Sequence, residues 1–462
     1  LRVVCRHLGQ LALVLAVLVA VPAAVAGASG DWQLVLRSLL GAVLPALLVG
    51  ACARIPAIES PLRANEALVV VALAFVLAAA LMTYPLTTAG LSPLDAWFEA
   101  VSGVTTTGLT MISDPALSSP AFLFARSWTQ WFGGLGIVVL SLALAYGRAA
   151  DTRRLANAAG EEEDLAQGTR IHARRVLAVY ALLTAVGLGL VWMAGMPLFP
   201  ALIHTLSAIS TGGFSGLADS LAGVGRPAQF ALLAVAFLGA LPLPLFYRAY
   251  AHGSSQLWHD PELRALAAAV VLVALLLWCL GSLGPADALL QALTAQTGTG
   301  FSTVDMAALD AQSKWVLILS MVTGAGIGST AGGVKLLRVV ILIRIIQLAI
   351  LRAQLPRHAV VHPSVGGRSL EAHQIENAML VLLLFPLVIA ASWTPFLAAG
   401  YAPLDALFEV VSAIGTVGLS TGITGPALEP GLKLVLTLDM LLGRVEVLAV
   451  LVLVYPGTWY RR

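Results

Sequence analysis

Charge is what this sequence has least of. Of its 462 residues, 11% are Asp, Glu, Lys or Arg, where a soluble domain carries about 25%. So little polar surface cannot cover a water-soluble particle of this size. With 59% hydrophobic residues and a mean hydropathy of +0.91, the chain reads as a membrane protein. Cysteine is scarce too: Cys5, Cys52 and Cys279 stand far apart, in or beside apolar runs. They offer no disulfide framework and no Cys-x-x-Cys metal pair, and are expected to behave as small buried hydrophobes. No Ser/His/Asp set or nucleotide fingerprint appears, so the sequence presents no enzymatic chemistry. A net charge of +2 leaves no electrostatic footprint for nucleic acid.

Long apolar runs are what the chain has instead, among them 68–82, 176–193, 266–280 and 379–391. With their flanks, several are long enough to cross a hydrocarbon core of about 30 Å. Lys and Arg gather in alternate connections: Arg2 and Arg6, Arg54 and Arg63, a group from Arg148 to Arg175, Arg248 and Arg264, Arg352, Arg357 and Arg368, and finally Arg461 and Arg462. The intervening connections hold few, chiefly Arg226, Lys314 and Lys433. Positive charge marks the cytoplasmic side, which places both termini inside and makes the number of crossings even. Ten are expected, at 10–28, 34–52, 67–85, 127–146, 175–194, 228–250, 263–283, 314–350 (broken), 374–398 and 432–455. Ala23-Ala24-Val25-Ala26 resembles a signal-peptide cleavage site. The second apolar segment that follows at once favours a retained hairpin.

After that hairpin, one pattern recurs four times: a long apolar helix, a segment of about ten residues, a Gly-rich loop and another apolar helix. Aligned on one glycine, the loops read Thr105-Thr106-Thr107-Gly108, Ser210-Thr211-Gly212-Gly213, Thr297-Gly298-Thr299-Gly300 and Gly415-Thr416-Val417-Gly418. The first and fourth also share the Asp, Phe and Glu of Asp95-Ala-Trp-Phe-Glu99 and Asp405-Ala-Leu-Phe-Glu409. In all four a hydroxyl residue lies six before the glycine and another two after it. The fold expected is an all-α integral membrane protein: a hairpin at 1–60, then pore repeats at 61–150, 151–255, 256–365 and 366–462 around a central pore.

Each short segment is too brief to span a bilayer and reads as re-entrant. Non-helical backbone at membrane depth is tolerated only inside protein or along a water-filled cavity. Four such loops therefore imply one shared aqueous path. A dehydrated cation needs several oxygens at a fixed radius, and backbone carbonyls supply them without fixed charge. Aiming successive carbonyls at one axis demands backbone angles that glycine reaches cheaply. Gly108, Gly213, Gly300 and Gly418 suit that demand, as do Gly212, Gly298 and Gly415. The alternative is that these small residues only pack helices together.

These loops resemble those of the Trk/Ktr/HKT superfamily of K⁺ transporters, in particular its TrkH-like bacterial pore subunits. Val104-Thr-Thr-Thr-Gly108 and Ile414-Gly-Thr-Val-Gly418 are similar to that family's first and fourth filter sequences, and the likeness spans nearly the whole chain. The resemblance implies that K⁺ is the transported ion, in a bacterial cytoplasmic membrane. It also implies that K⁺ is held by carbonyls of the sixteen aligned loop residues, above all Thr106, Thr107, Thr211, Gly212, Gly298, Thr299, Thr416 and Val417. A stand-alone cation channel and a Na⁺- or H⁺-coupled symporter share this pore and stay open as alternatives.

Two further stretches stand out. Thr323–Lys335 puts Gly324, Gly326, Gly328, Gly332 and Gly333 inside an apolar helix, which should break there at about 1 kcal/mol per glycine. No Gly-x-x-x-x-Gly-Lys-Ser/Thr spacing makes it a phosphate loop. The resemblance implies an intramembrane gate, including Lys335 and Arg444; a packing kink is the alternative. Gly443-Arg444-Val445-Glu446 sets charges within the last crossing, where ionisable groups face a cavity or a partner; a simple Arg444–Glu446 pairing is the other possibility. Asp95, Asp287, Asp405, Glu99 and Glu409 are expected near the outer mouth, where they could concentrate cations; for the three Asp, capping of the short helices is the favoured role. The second loop departs from the pattern with Pro200 and His204, and Pro242 and Pro244 should kink the helix at 228–250. The resemblance also implies a homodimer seated on cytosolic nucleotide-binding regulatory subunits. Its docking face would be Arg148, Arg153, Arg154, Arg174, Arg175, Arg352 and Arg357.

Overall fold

The computed structural model describes residues 2–55, 64–156, 162–253, 255–354, 364–365 and 368–455. Arg2–Ala28 and Trp32–Arg54 form an N-terminal helical hairpin. Its turn uses left-handed Gly30 (φ +78), and Asp31 caps the returning helix by accepting from Leu34 N at 3.1 Å. The only strands among the described residues are the two-residue pair Ser364–Val365 and Arg368–Ser369. The protein is an all-helical membrane bundle.

Four helix–short helix–loop–helix units follow. Their first helices are Ala64–Leu86, Glu162–Met193, Pro261–Leu280 and Ala372–Ala398. The short pore helices are Pro93–Val104, Leu198–Ile209, Pro285–Thr297 and Pro403–Ile414. At 1.5 Å per residue, none of these can span the bilayer. Three start with proline at the first helical position, where its missing N–H goes unmissed. Their last two turns are buried, apart from half-buried Leu293 in the third, so they sit inside the ring of long helices.

The second helices differ from one another. Pro120–Ala156 runs unbroken. Arg226–Gly239 meets the next helical segment at 83°, a sharper change than the kink expected of Pro242 and Pro244. Ala311–Thr323 and Leu336–Gln354 are separated by a non-helical stretch at 324–335, where the glycine run predicts a break. Pro430–Val445 stops at Glu446, which takes φ +70, before Val447–Val454 resumes. That break corrects the single crossing expected at 432–455. Arg338 draws the Glu446 carboxylate away at 2.8 Å, and a left-handed residue cannot continue an α-helix. Among the described residues, six helices are long and apolar enough to cross a membrane, or seven with the bent pair as one. Pro120–Ala156 and the two interrupted helices stand where the other three crossings are expected.

Glycine lets the second helices approach the pore helices. A Cβ on Gly133, Gly239 or Gly443 would lie under 3.0 Å from the carbonyl oxygen of Val104, Ile209 or Ile414, the last residue of the pore helix in the same repeat. Large apolar side chains such as Val17, Leu182, Leu272 and Leu383 are exposed on the outside, the reverse of a soluble protein and suited to lipid. The three cysteines are free; Cys279 is exposed, and Cys5 and Cys52 are half-buried. They therefore lie on helix surfaces and are not the buried hydrophobes expected.

Candidate functional site

The four loops close into a ring. A Cβ added to Gly108 would fall under 3.0 Å from the carbonyl oxygen of Gly212, one on Gly213 from that of Thr299, one on Gly300 from that of Val417, and one on Gly418 from that of Thr107. Each aligned glycine thus packs on the residue just before the aligned glycine of the next repeat, and the fourth repeat returns to the first. The four glycines line one cavity of about 180 Å³ together with Thr110, Ser215, Ser302 and Ser420.

Backbone conformation repeats with the same fidelity. The aligned glycines all take positive φ, as do the residues two before them: Thr106 (+55), Thr211 (+53), Gly298 (+70) and Thr416 (+49). A β-branched residue there is a steric outlier costing about 1–3 kcal/mol, sustained only where the surroundings over-determine it. This corrects the assignment of conformational need to Gly212 and Gly415, neither of which takes positive φ. Those two are glycine for room. Gly212 lies against the Gln130 side-chain amide, and Gly415 against the carbonyls of Val411 and Met321.

Hydroxyls before the ring hold it from behind. Ser102 and Ser412 accept from the amides of Gly108 and Gly418, each at 3.0 Å. In the second repeat Ser207 instead donates to Gln130 Oε1 at 2.7 Å, while Gln130 Nε2 donates to the Gly212 carbonyl. Gln130 escaped the sequence reading because it lies on a second helix, outside the aligned loops. The hydroxyls of Thr106 and Thr416 are buried without a hydrogen-bond partner among the described residues. Buried polar atoms are rarely left so.

The glycine-rich stretch lies directly beneath the ring. Thr330 Oγ1 is 3.3 Å from Thr211 Oγ1, Ala331 sits beside Gly298, and Gly332 is glycine because a Cβ would strike Thr416 Oγ1. Gly324, Gly326, Gly332 and Gly333 are buried, with Gly328 and Lys335 half-exposed. Backbone contacts pin the stretch, among them Thr330 N to Gly239 O at 3.3 Å and Val334 N to Val322 O at 3.1 Å. Gln296 Nε2 donates to Gly324 O at 2.6 Å, and Lys335 Nζ donates back to Ala331 O. Arg444 reaches into the same place: one guanidinium nitrogen donates to Thr330 O and another to Gly133 O at 3.2 Å. It does not pair with Glu446, which is taken by Arg338.

The acidic residues at the outer ends are not caps. Ser92, Gly284 and Ala402 hold the N-cap positions. Asp95, Asp287 and Asp405 lie three residues further on and pair with Lys433 (2.5 Å), Arg226 (2.6 Å) and Lys314 (2.7 Å). These are the cations isolated in the outer connections, each on the second helix of the preceding repeat, the fourth preceding the first. Glu99 is buried against Arg126 at 2.6 Å. Glu409 is buried among Ser420, Thr421 and Thr424, with no cation paired to it among the described residues. Neither buried carboxylate is a free outer-mouth charge.

Of the expected docking residues, Arg174 and Arg175 lie on the second repeat's first helix, and Arg175 stacks over Tyr247 at 4.3 Å. Arg352 ends the helix Leu336–Gln354. Arg148, Arg153 and Arg154 belong to the helix Pro120–Ala156, but their side chains lie outside the described set, as does Arg357 altogether.

A four-repeat membrane bundle with re-entrant helices and loops closed around one axis is the architecture of a cation-transporting pore protein. The TrkH family profile, described as cation transport protein, matches residues 42–283 and 285–457. The chain belongs to that family, one of transporters and not of enzymes. It is 32% identical to the Trk system potassium uptake protein TrkH of Vibrio parahaemolyticus over 80% of each chain. To the TrkH of Halomonas elongata it is 30% identical over 99% of each. An uncharacterized cation transporter of Methanocaldococcus jannaschii is 28% identical over 85% of this chain and 82% of its own. The crystal structure of the potassium transporter TrkH from Vibrio parahaemolyticus superposes with a TM-score of 0.86 at 27% identity, covering 99% of both chains.

Proposed function

We propose that this protein takes up K⁺ across a bacterial cytoplasmic membrane through the ring formed by Thr105–Gly108, Ser210–Gly213, Thr297–Gly300 and Gly415–Gly418. The observation that carries the reading is the closure of that ring, glycine on neighbouring carbonyl, four times over. A closed ring sets backbone oxygens at a radius the protein fixes, which is what a dehydrated cation requires. Its relatives among the potassium uptake proteins supply the ion. The unpartnered hydroxyls of Thr106 and Thr416 suit the inner end of such a path. The repeats at 61–150, 151–255, 256–365 and 366–462, after the hairpin at 1–60, are its units, with both termini on the cytoplasmic side.

The stretch 324–335 is the gate of this reading, held closed beneath the ring by Arg444 and opened by a cytosolic nucleotide-binding regulatory subunit on a homodimeric pore. Its support is the contact of Thr330, Ala331 and Gly332 with three of the four left-handed positions above.

The test is Gly108→Ser in protein reconstituted into liposomes. A side chain there displaces the Gly212 carbonyl, so discrimination of K⁺ from Na⁺ should fall or conduction should cease. Wild-type permeability ratios in the variant would refute the filter.

A further inference from the structure

One position in each pore helix ties the loop back to its own helix. Nine residues before the aligned glycine stand Glu99, His204, Gln291 and Glu409, all buried. Each meets a hydroxyl just beyond that glycine. Thr110 Oγ1 donates to Glu99 at 3.1 Å, and Ser420 Oγ to Glu409 at 2.6 Å. His204 Nε2 lies 2.9 Å from Ser215 Oγ, and Gln291 Nε2 donates to Thr303 Oγ1 at 2.7 Å. Three side-chain chemistries tie helix to loop in four repeats; the hydroxyl is the one two residues after the glycine in the first, second and fourth, and Thr303, three after, in the third.

A hydroxyl permits this because it both donates and accepts. It gives its proton to the carboxylates and receives one from the Gln291 amide. At His204 the direction is fixed by the other ring nitrogen. Nδ1 lies 2.7 Å from the Pro200 carbonyl, which can only accept, so Nδ1 carries the proton and Nε2 receives that of Ser215. Arg126 meets the same segment at the Ser215 carbonyl, 3.2 Å away, and over the Phe214 ring, and the Phe301 ring lies beside the imidazole, 6.0 Å between centroids.

We infer that this position is a strap that holds the outer end of each filter loop, and that the His204–Ser215 strap is a determinant of ion selectivity. The inference rests on the filter reading above. His204 acts through Ser215 and touches no ion; it is a positioning residue. A strap predicts an exchange rule that mere burial of a polar group does not. Glutamine, already used at 291, should serve at 204 because it donates to the hydroxyl and leaves that proton for the Ser220 carbonyl, 3.1 Å away.

The experiment measures K⁺/Na⁺ permeability ratios of the full chain in liposomes, with melting temperature recorded for each variant. His204→Gln should stay within about twofold of wild type. His204→Leu and Ser215→Ala should each lower the ratio roughly tenfold, the worth of one buried hydrogen bond. The double variant should be no worse than either single one, since both remove the same bond. Should His204→Leu not fold, Ser215→Thr against Ser215→Ala makes the same comparison, because threonine keeps the hydroxyl as Thr110 does. Gly213→Ser is the control. If it abolishes selectivity while His204→Leu and Ser215→Ala retain the wild-type ratio, the strap is refuted and the filter stands. Additive loss in the double variant, or His204→Gln as impaired as His204→Leu, refutes the strap as well. An unchanged ratio in Gly213→Ser removes the filter reading and the strap with it.

Discussion

Lys433 of the last repeat and Asp95 of the first are 338 residues apart in sequence and 2.5 Å apart in space. Their ion pair closes the bundle where its two ends meet. Lys314–Asp405 and Arg226–Asp287 join the fourth repeat to the third and the third to the second. The joint between first and second has Pro200 in place of the aspartate. There Arg126 takes over, donating to the Ser215 carbonyl and lying 4.0 Å over the Phe214 ring.

Burial separates these pairs in strength. Lys433 and Asp95 are 6% and 13% exposed, whereas Arg226 is 50% exposed. Losing one partner of a buried pair costs about 3–5 kcal/mol; an exposed pair is worth about 0–1 kcal/mol. Lys433→Met should therefore lower the detergent melting temperature far more than Arg226→Met does. Equal shifts would contradict the assignment of Lys433–Asp95 as the closing bond.

Gly212 and Gly108 are glycine for different reasons, and rescue tells them apart. A methyl on Gly212 meets the Gln130 side chain, while one on Gly108 meets backbone. Gln130→Ala should restore part of the K⁺ flux lost in Gly212→Ala. No truncation of Gln130 should restore flux to Gly108→Ala. Rescue of both, or of neither, in a flux assay would show that Gln130 does not set the space at Gly212.

The turn of the stretch 324–335, the proposed gate, is held by the first helix of its own repeat. Glu262 accepts from Ile327 N at 2.7 Å, an anchor 65 residues away that no local pattern signals. Glu262→Ala should raise basal flux severalfold while leaving the K⁺/Na⁺ ratio alone, as should shortening Gly324–Gly328. Unchanged flux in both variants would reduce the stretch to a packing kink.

The proposed docking face for a regulatory subunit is tested by salt. Screening shortens from about 10 Å at 0.1 M to about 3 Å at 1 M, so a polar contact through Arg153, Arg154, Arg174 and Arg175 should weaken across that range. Co-purification with the regulatory subunit should fall at high salt and on reversing Arg153 and Arg154 to Glu. Retention indifferent to both would exclude this face.

The sequence by itself determined the membrane class, the fourfold plan and the break at 324–335. Each is a local or periodic property: apolar length must match the bilayer, a repeat shows itself on alignment, and a glycine run cannot hold a helix. The sequence also singled out Gly108, Gly213, Gly300 and Gly418. It could not say what their missing side chains make room for. That room belongs to a carbonyl of another repeat, about a hundred to three hundred residues away, and only closure of the ring brings the two together. The same holds for Asp95, which reads as a cap until Lys433 arrives, and for Arg444, which reads as a partner of nearby Glu446 until the broken helix carries Arg338 to that carboxylate and leaves Arg444 against Thr330. Charges choose partners by distance in space. Spacing along the chain reveals that distance within one helix and conceals it between helices.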